Sequence, residues 1–561
     1  MKIKNFLLPL ILVSSASLVS GCRNKKNQVG GAQTIQIKAY KGGYGTDFLH
    51  EMADKYHEAH PEISFSFLDE SVLIDGEKAA AEIAVPKKNQ VDLYFVTGVD
   101  INYLVKKSSS VLNKRDEVLL EPLDSIFEGK AVGLDGKEEE ATIKSRFFNG
   151  FEELCKYDGE FPKWRGTMFT LPWAEATTGI FMNKSVLDKY GVSIPLTSNE
   201  FISAVQTIYT AGKPNNNYPF SWGGGNAAGY WQYLYETWFA QYSGQQKFYN
   251  FQMCDPGNGK IVQEGYKVYE DAGILKALEA MFPILDLNYS PNGSRTQQHT
   301  EAQTDFITGK TAFMIDGDWL MNEMKEYYYE QGKEIMMLRA PILSSIGSEI
   351  GISDAQLHTL VESIDNHLSN TEIKVLIPSL SDESIERVRS ARSVHDTIGI
   401  GHNILIPSYA DAKDAAKEFV KFFYSNDGCR IFRNFANANL PLTYQTKEGD
   451  KNTPFQQSLD KVRDYDNPQI VTSVASYNGV RTTPSPQILT FNYSAWATPY
   501  TFVYIMLDKI GDQAFTPESI FNGEKDYVRS QWNSWMIYID YLWWVLKHME
   551  NMLSIEKTKK D

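Results

Sequence analysis

The order in which apolar patterns change period over residues 34–96 limits this chain more than any other feature. Thr34 to Ala39 alternates as a half-buried strand does, and Tyr40 to Gly45 is a glycine-rich turn. Leu49, Met52, Ala53 and Tyr56 then fall at i, i+3, i+4 and i+7, which gives a helix one apolar face, and Pro61 marks its end. Ile63 to Leu68 reads as a strand, Glu77 to Ala84 as a helix and Val91 to Val96 as a strand. This βαβαβ order predicts parallel strands with helices on both faces, an α/β architecture. A length of 561 residues, 42% of them hydrophobic and 13% aromatic, supports two or more buried cores and excludes wholesale disorder.

The stretch FITGKTAFMIDGDW, Phe306 to Trp319, reads as a helix end, a buried strand and a new helix start. Gly309 can close the first helix in the left-handed conformation. Thr311 to Ile315 is a strand-length β-branched and aromatic run, and Asp318 is placed to cap a helix running to about Gln331. Trp319 is thereby expected at a strand-to-helix turn, the edge of an α/β sheet where ligands bind.

The N-terminus has a basic start at Lys2 and Lys4, an apolar stretch from Phe6 to Val13 too short to span a bilayer, and Leu18-Val19-Ser20-Gly21-Cys22. That ending resembles a bacterial lipobox. The resemblance implies that residues 1–21 are a lipoprotein signal peptide and that Cys22 becomes the acylated first residue of the mature chain, anchored outside the cytoplasmic membrane. Residues 22–33 are then a polar, flexible tether, with Arg23, Lys25 and Lys26 near anionic headgroups. Losing two lysines takes the formal charge from -15 to -17, which argues against nucleic acid as a partner. Cys155, Cys254 and Cys429 remain, too few and too widely spaced for a disulfide framework or a zinc site, and buried free thiols are expected.

The pattern "GK-A-M-x-x-G-x-W" over Gly309 to Trp319 resembles a segment of the extracellular solute-binding proteins, the ligand receptors of ABC importers for sugars. The opening is similar to theirs as well: Phe48, Tyr56, Pro61 and Ile63 stand near the positions of "F-x-x-x-Y-x-x-x-x-P-x-I", with approximate spacing. Leu171-Pro172, Gly179, Asn183-Lys184, Gly191-Val192 and Pro195 resemble the block in which the chain first crosses between lobes. An extended crossing suits a hinge, because a few residues can absorb the dihedral change. AAKEFVKFFYS, with Ala416, Phe419, Val420 and Phe423 on one face and Lys417 and Lys421 on the other, resembles the family's "A-x-E-F-x-K-F" helix. It follows an expected strand at Ile398 to Pro407 and precedes Asn439-Leu440-Pro441. From Tyr477 onward the chain resembles the family's C-terminal helical part, and the last helix, about Tyr527 to Met552, carries enough charge to be packed and not membrane-spanning.

The resemblance implies a two-lobed periplasmic-binding-protein-like α/β fold with crossing hinge strands and an interlobe ligand cleft. Residues 34–173 plus 341–445 are expected as lobe I, and 174–340 plus 446–561 as lobe II. Catalytic motifs fail. Gly309-Lys310-Thr311 lacks the earlier glycine of a phosphate loop, Gly399-Ile400-Gly401 lacks a third glycine, the histidines of His57-Glu58-Ala59-His60 are three apart, and no G-x-S-x-G elbow occurs. No cofactor, metal or catalytic residue is therefore expected, although Glu175, Asp316 and Asp318 leave a glycosidase pair open.

What remains is binding. A sugar offers an apolar face to aromatic rings and hydroxyls to polar groups. The candidates are Tyr40 and Tyr44 after the first strand, Trp173 and Glu175 at the crossing, Trp222, Tyr230 and Trp231 in the glycine-rich loop and helix, Asp318 and Trp319, then Asn403 and Trp496. The family resemblance implies a monomeric, extracytoplasmic lipoprotein that captures a carbohydrate, with an oligosaccharide favoured by size and aromatic content, and delivers it to ABC transporter permease subunits. A surface glycan-cleaving lipoprotein and a sensory receptor on the same fold stay open, as do peptides and other small solutes as ligands.

Overall fold

A computed structural model describes residues 33–463, 469–471 and 516–534, apart from 69–73, 99–100, 102–103, 108–116, 149–150, 158–160, 253 and 328–333. The opening forms as its periodicity predicts. The strand Gln33–Ala39 pairs in parallel with Ile63–Phe67 and with Leu93–Thr97, while the helices Asp47–Ala59 and Gly76–Ile83 connect them. Phe48, Leu49, Met52, Ala53 and Tyr56 are buried along the first helix, the i, i+3, i+4, i+7 face plus one neighbour. Two antiparallel strands complete this sheet, whose order is Ile63–Phe67, Gln33–Ala39, Leu93–Thr97, His402–Leu405, Leu171–Pro172.

A second sheet is built around Thr177–Asn183. This strand pairs antiparallel with Thr311–Gly317, with Ile335–Leu338 and with Val394–Thr397; Tyr218–Ser221 and Gln469–Val471 lie outside those. Each sheet has its own core. Ile35, Ile37, Phe48, Phe95, Phe419 and Phe432 meet in the first, and Ile180, Phe201, Phe220, Trp238 and Phe313 in the second. The helix Lys413–Phe423 contributes Ala416, Phe419, Val420 and Phe423 to the first core, as its stripe requires.

The chain passes between the sheets at 173–176, at 398–401, and again between Leu442 of the first core and Phe455 of a cluster on the second sheet. The expected return to the first lobe near residue 341 is displaced by more than fifty residues. The helices Ser344–Glu349, Asp354–Asp365 and Asp382–Arg392 bury Ile346, Leu357, Leu360, Val361, Ile364, Ile385 and Val388 in the second core. Arg392 fastens them by pairing with Asp365 at 2.7 Å and donating to the Ala340 carbonyl at 2.7 Å. The single strand expected over Ile398 to Pro407 is also divided. Val394–Thr397 belongs to the second sheet, His402–Leu405 to the first, and one 3₁₀ turn, Gly399–Gly401, carries the chain across.

The two crossings run side by side. Ile398 N–H donates to the Ala176 carbonyl at 3.1 Å and Trp173 N–H to that of His402 at 2.9 Å. Gly399 lies so close to this backbone that a Cβ there would stand 2.4 Å from the Glu175 carbonyl oxygen. Ala176 takes a left-handed φ of +52°, a strained choice for a residue with a Cβ. Cys155, Cys254 and Cys429 are free and buried, and burial pushes the thiols of Cys155 and Cys429 up to about 12. No described helix is long and apolar enough to cross a membrane. Residues 1–21, most of the tether, Cys22, Trp496 and most of the final helix lie outside the described residues; residues 517–534 are helical, and Trp532 is buried against Cys254 and Tyr269.

Candidate functional site

The strand Thr311–Gly317 ends where the two sheets face each other, and Gly309, at φ +78°, closes the preceding helix His299–Ile307 as expected. The next helix starts as a single turn, Leu320–Glu323, is interrupted at Met324 and resumes over residues 325–327, the remainder of the expected span lies outside the described residues, and Asp318 does not cap it. Its N-cap residue is Trp319, without a side-chain hydrogen bond. Asp318 is instead turned across the cleft, where Oδ1 accepts the hydroxyl proton of Tyr44 from the other lobe. Trp319 folds back over Gly317, at which a Cβ would stand 2.1 Å from the indole, so only glycine fits there. The ring thereby reaches the first lobe and joins its core beside Tyr44, Phe48 and Trp173, with 6% of its surface exposed.

Other contacts close the cleft around this pair. Asn322 Nδ2 donates to the Gly43 carbonyl at 2.6 Å, and Lys325 pairs with Asp47 at 3.2 Å. Tyr230, on the second lobe, lies 6.0 Å from Trp319 and 5.0 Å from the imidazole of His299, centroid to centroid. Tyr44 presents its edge to Trp173 at 5.6 Å and to Trp319 at 6.5 Å. Aromatic surface from both lobes therefore converges on one place.

Two polar networks flank it. On the second lobe His299 and Gln303, one helical turn apart, face Asp316 and Glu323. His299 Nε2 is 3.4 Å from Asp316 Oδ1, and Gln303 Nε2 donates to Asp316 at 3.2 Å and to Glu323 at 2.7 Å. At the crossing, Glu175 is fully buried and is held by Arg463 at 2.9 Å and by His395 at 3.1 Å. Titration reflects this crowding. Burial raises the Asp318 carboxyl to about 8, although the Tyr44 hydrogen bond works the other way. Burial, then Asp318, pushes the Tyr44 phenol well above its ordinary value. Burial, then Asp316, raises Glu323. For His299 burial opposes the imidazolium, but Asp316 and Glu323 outweigh it and the pKa rises. His402, packed 5.0 Å from Trp173, is lowered to about 4 by burial.

The sequence candidates divide by environment. Tyr44, Tyr230, Asp318 and Trp319 meet in the cleft, and the half-buried Tyr40 stands near it, its phenol raised by burial and then by Glu323 and Asp75. Trp173 is a pillar of the first core, stacked on Phe48 at 5.9 Å with its indole N–H donated to the Val96 carbonyl at 2.9 Å. Trp222 donates to Ser290 Oγ at 2.9 Å, Trp231 is buried beside it, and Asn403 is buried in the strand His402–Leu405. Trp496 lies outside the described residues. Sequence reasoning missed His299, Gln303, Glu323, His395 and Arg463. The i, i+4 spacing of His299 and Gln303 was a signal for the first pair; Arg463 and His395 carried none, because a helix and a strand from distant parts of the chain bring them to Glu175. Among the described residues, no group of three or more His, Cys, Asp or Glu could hold a metal ion. The arrangement offers ring faces and both hydrogen-bonding signs, which suits non-covalent capture of a ligand that touches both lobes.

The architecture is that of two-lobed solute-binding proteins of known structure. A protein from work on xylan utilization by Caldanaerobius polysaccharolyticus superposes with a TM-score of 0.55 at 14% identity, over 88% of this chain and 99% of that one. RafE from Streptococcus pneumoniae gives 0.53 at 13% identity, over 91% and 100%. A chitin oligosaccharide binding protein gives 0.53 at 16%, over 89% and 99%. No match was found among curated protein sequences. The family model described as bacterial extracellular solute-binding protein matches residues 42–428, more than half of the chain, and the chain belongs to that family.

Proposed function

We propose that this protein captures a carbohydrate, with an oligosaccharide favoured, between its lobes and delivers it to ABC transporter permease subunits outside the cytoplasmic membrane. The observation that carries the reading is the convergence of Tyr44 from one lobe with Trp319 and Tyr230 from the other, beside the carboxyl of Asp318. Rings of that kind stack on the C–H face of a sugar while acids and amides take its hydroxyls. The structural neighbours support a sugar ligand: one was solved with raffinose, another is named for chitin oligosaccharides. A ligand that touches both lobes binds the closed form better than the open one, and this difference in affinity shifts the population towards closure. The paired crossings at 173–176 and 398–401 are the natural hinge. Acylation at Cys22 and the tether that follows would keep the receptor as a monomer beside its permease.

The test is a thermal-shift screen of the chain from Gln33 onward against mono- and oligosaccharides, because a ligand that binds only the native state raises the melting temperature. A rise with the sugar recovered intact supports a receptor. A rise with cleavage would replace it by a glycan hydrolase. No shift with any sugar would remove carbohydrate as the ligand.

A further inference from the structure

The glycine-rich turn after the first strand is shaped to meet the second lobe. Gly43 and Gly45 take left-handed φ values of +65° and +69°. A Cβ on Gly43 would stand 3.4 Å from Trp319 Cβ, and one on Gly45 would stand 3.5 Å from Asn322 Nδ2. Glycine thus permits both the backbone conformation and the close approach. The turn is then held from the other side. Asn322 Nδ2 donates to the Gly43 carbonyl at 2.6 Å, the Gly43 N–H faces the Glu323 carboxyl, and the Tyr44 hydroxyl donates to Asp318. At the rim, the pairing of Lys325 with Asp47 joins side chains 43% and 65% exposed, where water screens it, so the inner contacts carry most of the attachment.

These contacts bury the groups on which ligand capture rests. Tyr44 is 1% exposed, Asp318 0% and Trp319 6%, so a solute reaches their ring faces and carboxyl only after the turn and the strand end have parted. A sugar inserted between Tyr44 and Asp318 must also separate Gly43 from Asn322, their close neighbours in the chain. We infer that the turn over residues 40–45 is a self-latch, which grips residues 318–323 to hold the lobes in a closed state that excludes the ligand and must release before capture. The inference rests on the reading of the cleft as the binding site. Only the unlatched fraction is competent to bind, and the apparent dissociation constant is the intrinsic one divided by that fraction. Weakening the latch therefore tightens binding, whereas loss of a ligand contact or of a merely structural one does not.

Two variants loosen the latch from opposite sides: Asn322→Ala removes the donor to the Gly43 carbonyl, and Gly43→Ala strains the turn at its left-handed φ. In hydrogen–deuterium exchange on the full chain, residues 40–47 and 318–324 should exchange about threefold or more faster in either variant. Residues 201–208, in a helix of the second core, should exchange as before, which separates parting of the lobes from unfolding. In calorimetric titrations with maltotriose, raffinose and tri-N-acetylchitotriose, a sugar that binds the unaltered protein should bind each variant about threefold or more tighter. Equal exchange in the two lobe segments, or equal or weaker binding of that sugar, would overturn the latch and leave the carbohydrate reading standing. If none of the three sugars binds any of the proteins, the exchange comparison alone decides the latch, and it is the carbohydrate reading that loses support.

Discussion

Asp318 sits fully buried between the lobes with its carboxyl raised to about 8, and this has a measurable consequence. Between the ordinary carboxylate pKa of 3.8 and about 8 the unfolded chain releases this proton while the folded chain keeps it. The folded state therefore binds more protons in that window, and stability falls as pH rises, by about 1.4 kcal/mol for each unit. The contribution is fully present below the ordinary carboxylate pKa and is lost by about pH 8. From pH 5 to pH 8 the loss amounts to roughly 4 kcal/mol from this one group. Unfolding entropy for a chain of this length is on the order of 1 kcal/mol per degree, so the melting temperature should drop by about 4 °C more across that range than the other groups require. Asp318→Asn removes the proton but keeps an oxygen for the Tyr44 hydroxyl. Melting curves recorded every half pH unit should show a slope for the variant that is shallower by that amount, with the two proteins converging towards pH 4. Parallel profiles across pH 5 to 8 would refute the assignment of a protonated, buried Asp318 at the lobe contact.

Three further outcomes follow from the same contacts. Gly399→Ala drives a Cβ to 2.4 Å from the Glu175 carbonyl and 2.8 Å from that of Ala174, and should cost about 1–3 kcal/mol in urea midpoint measurements, since the obstacle is backbone and cannot rotate away; an unchanged midpoint would mean the crossings are not in contact in solution. Arg463→Met leaves Glu175 buried with only His395 beside it, and should destabilise by about 3–5 kcal/mol, whereas the double variant with Glu175→Gln should recover most of that loss; a double variant as unstable as the single would dismiss the pair. Trp319→Ala should weaken sugar binding by about tenfold or more through loss of ring stacking, read by calorimetry; undiminished affinity would take Trp319 out of the site.

The βαβαβ opening was legible because its periodicities of two and 3.6 are local and its turns are marked by glycine and proline: the strand Gln33–Ala39, the helix Asp47–Ala59 and the amphipathic helix Lys413–Phe423 all formed where their patterns placed them. The same local logic located Trp319 at the end of a strand. It misjudged Asp318, which satisfied every local rule for a cap yet is bound by a tyrosine 274 residues away, a partner no window of sequence contains. It misplaced the return between lobes as well, because the helices over 344–392 are amphipathic in a way that either core could bury, and only the packing of Leu357, Leu360 and Val388 against the second sheet decides which. Trp173 and Trp319 illustrate the difference most directly. Both are tryptophans at sheet edges in family-like blocks, and only the fold gives the first a carbonyl partner inside the core and sends the second across the cleft. Composition and spacing thus determined most elements and the α/β class, and the resemblance of whole motif blocks pointed to the family. The lobe to which each segment belongs and the Glu175, His395 and Arg463 cluster were decided by tertiary structure, because burial and pairing depend on neighbours that are distant in the chain.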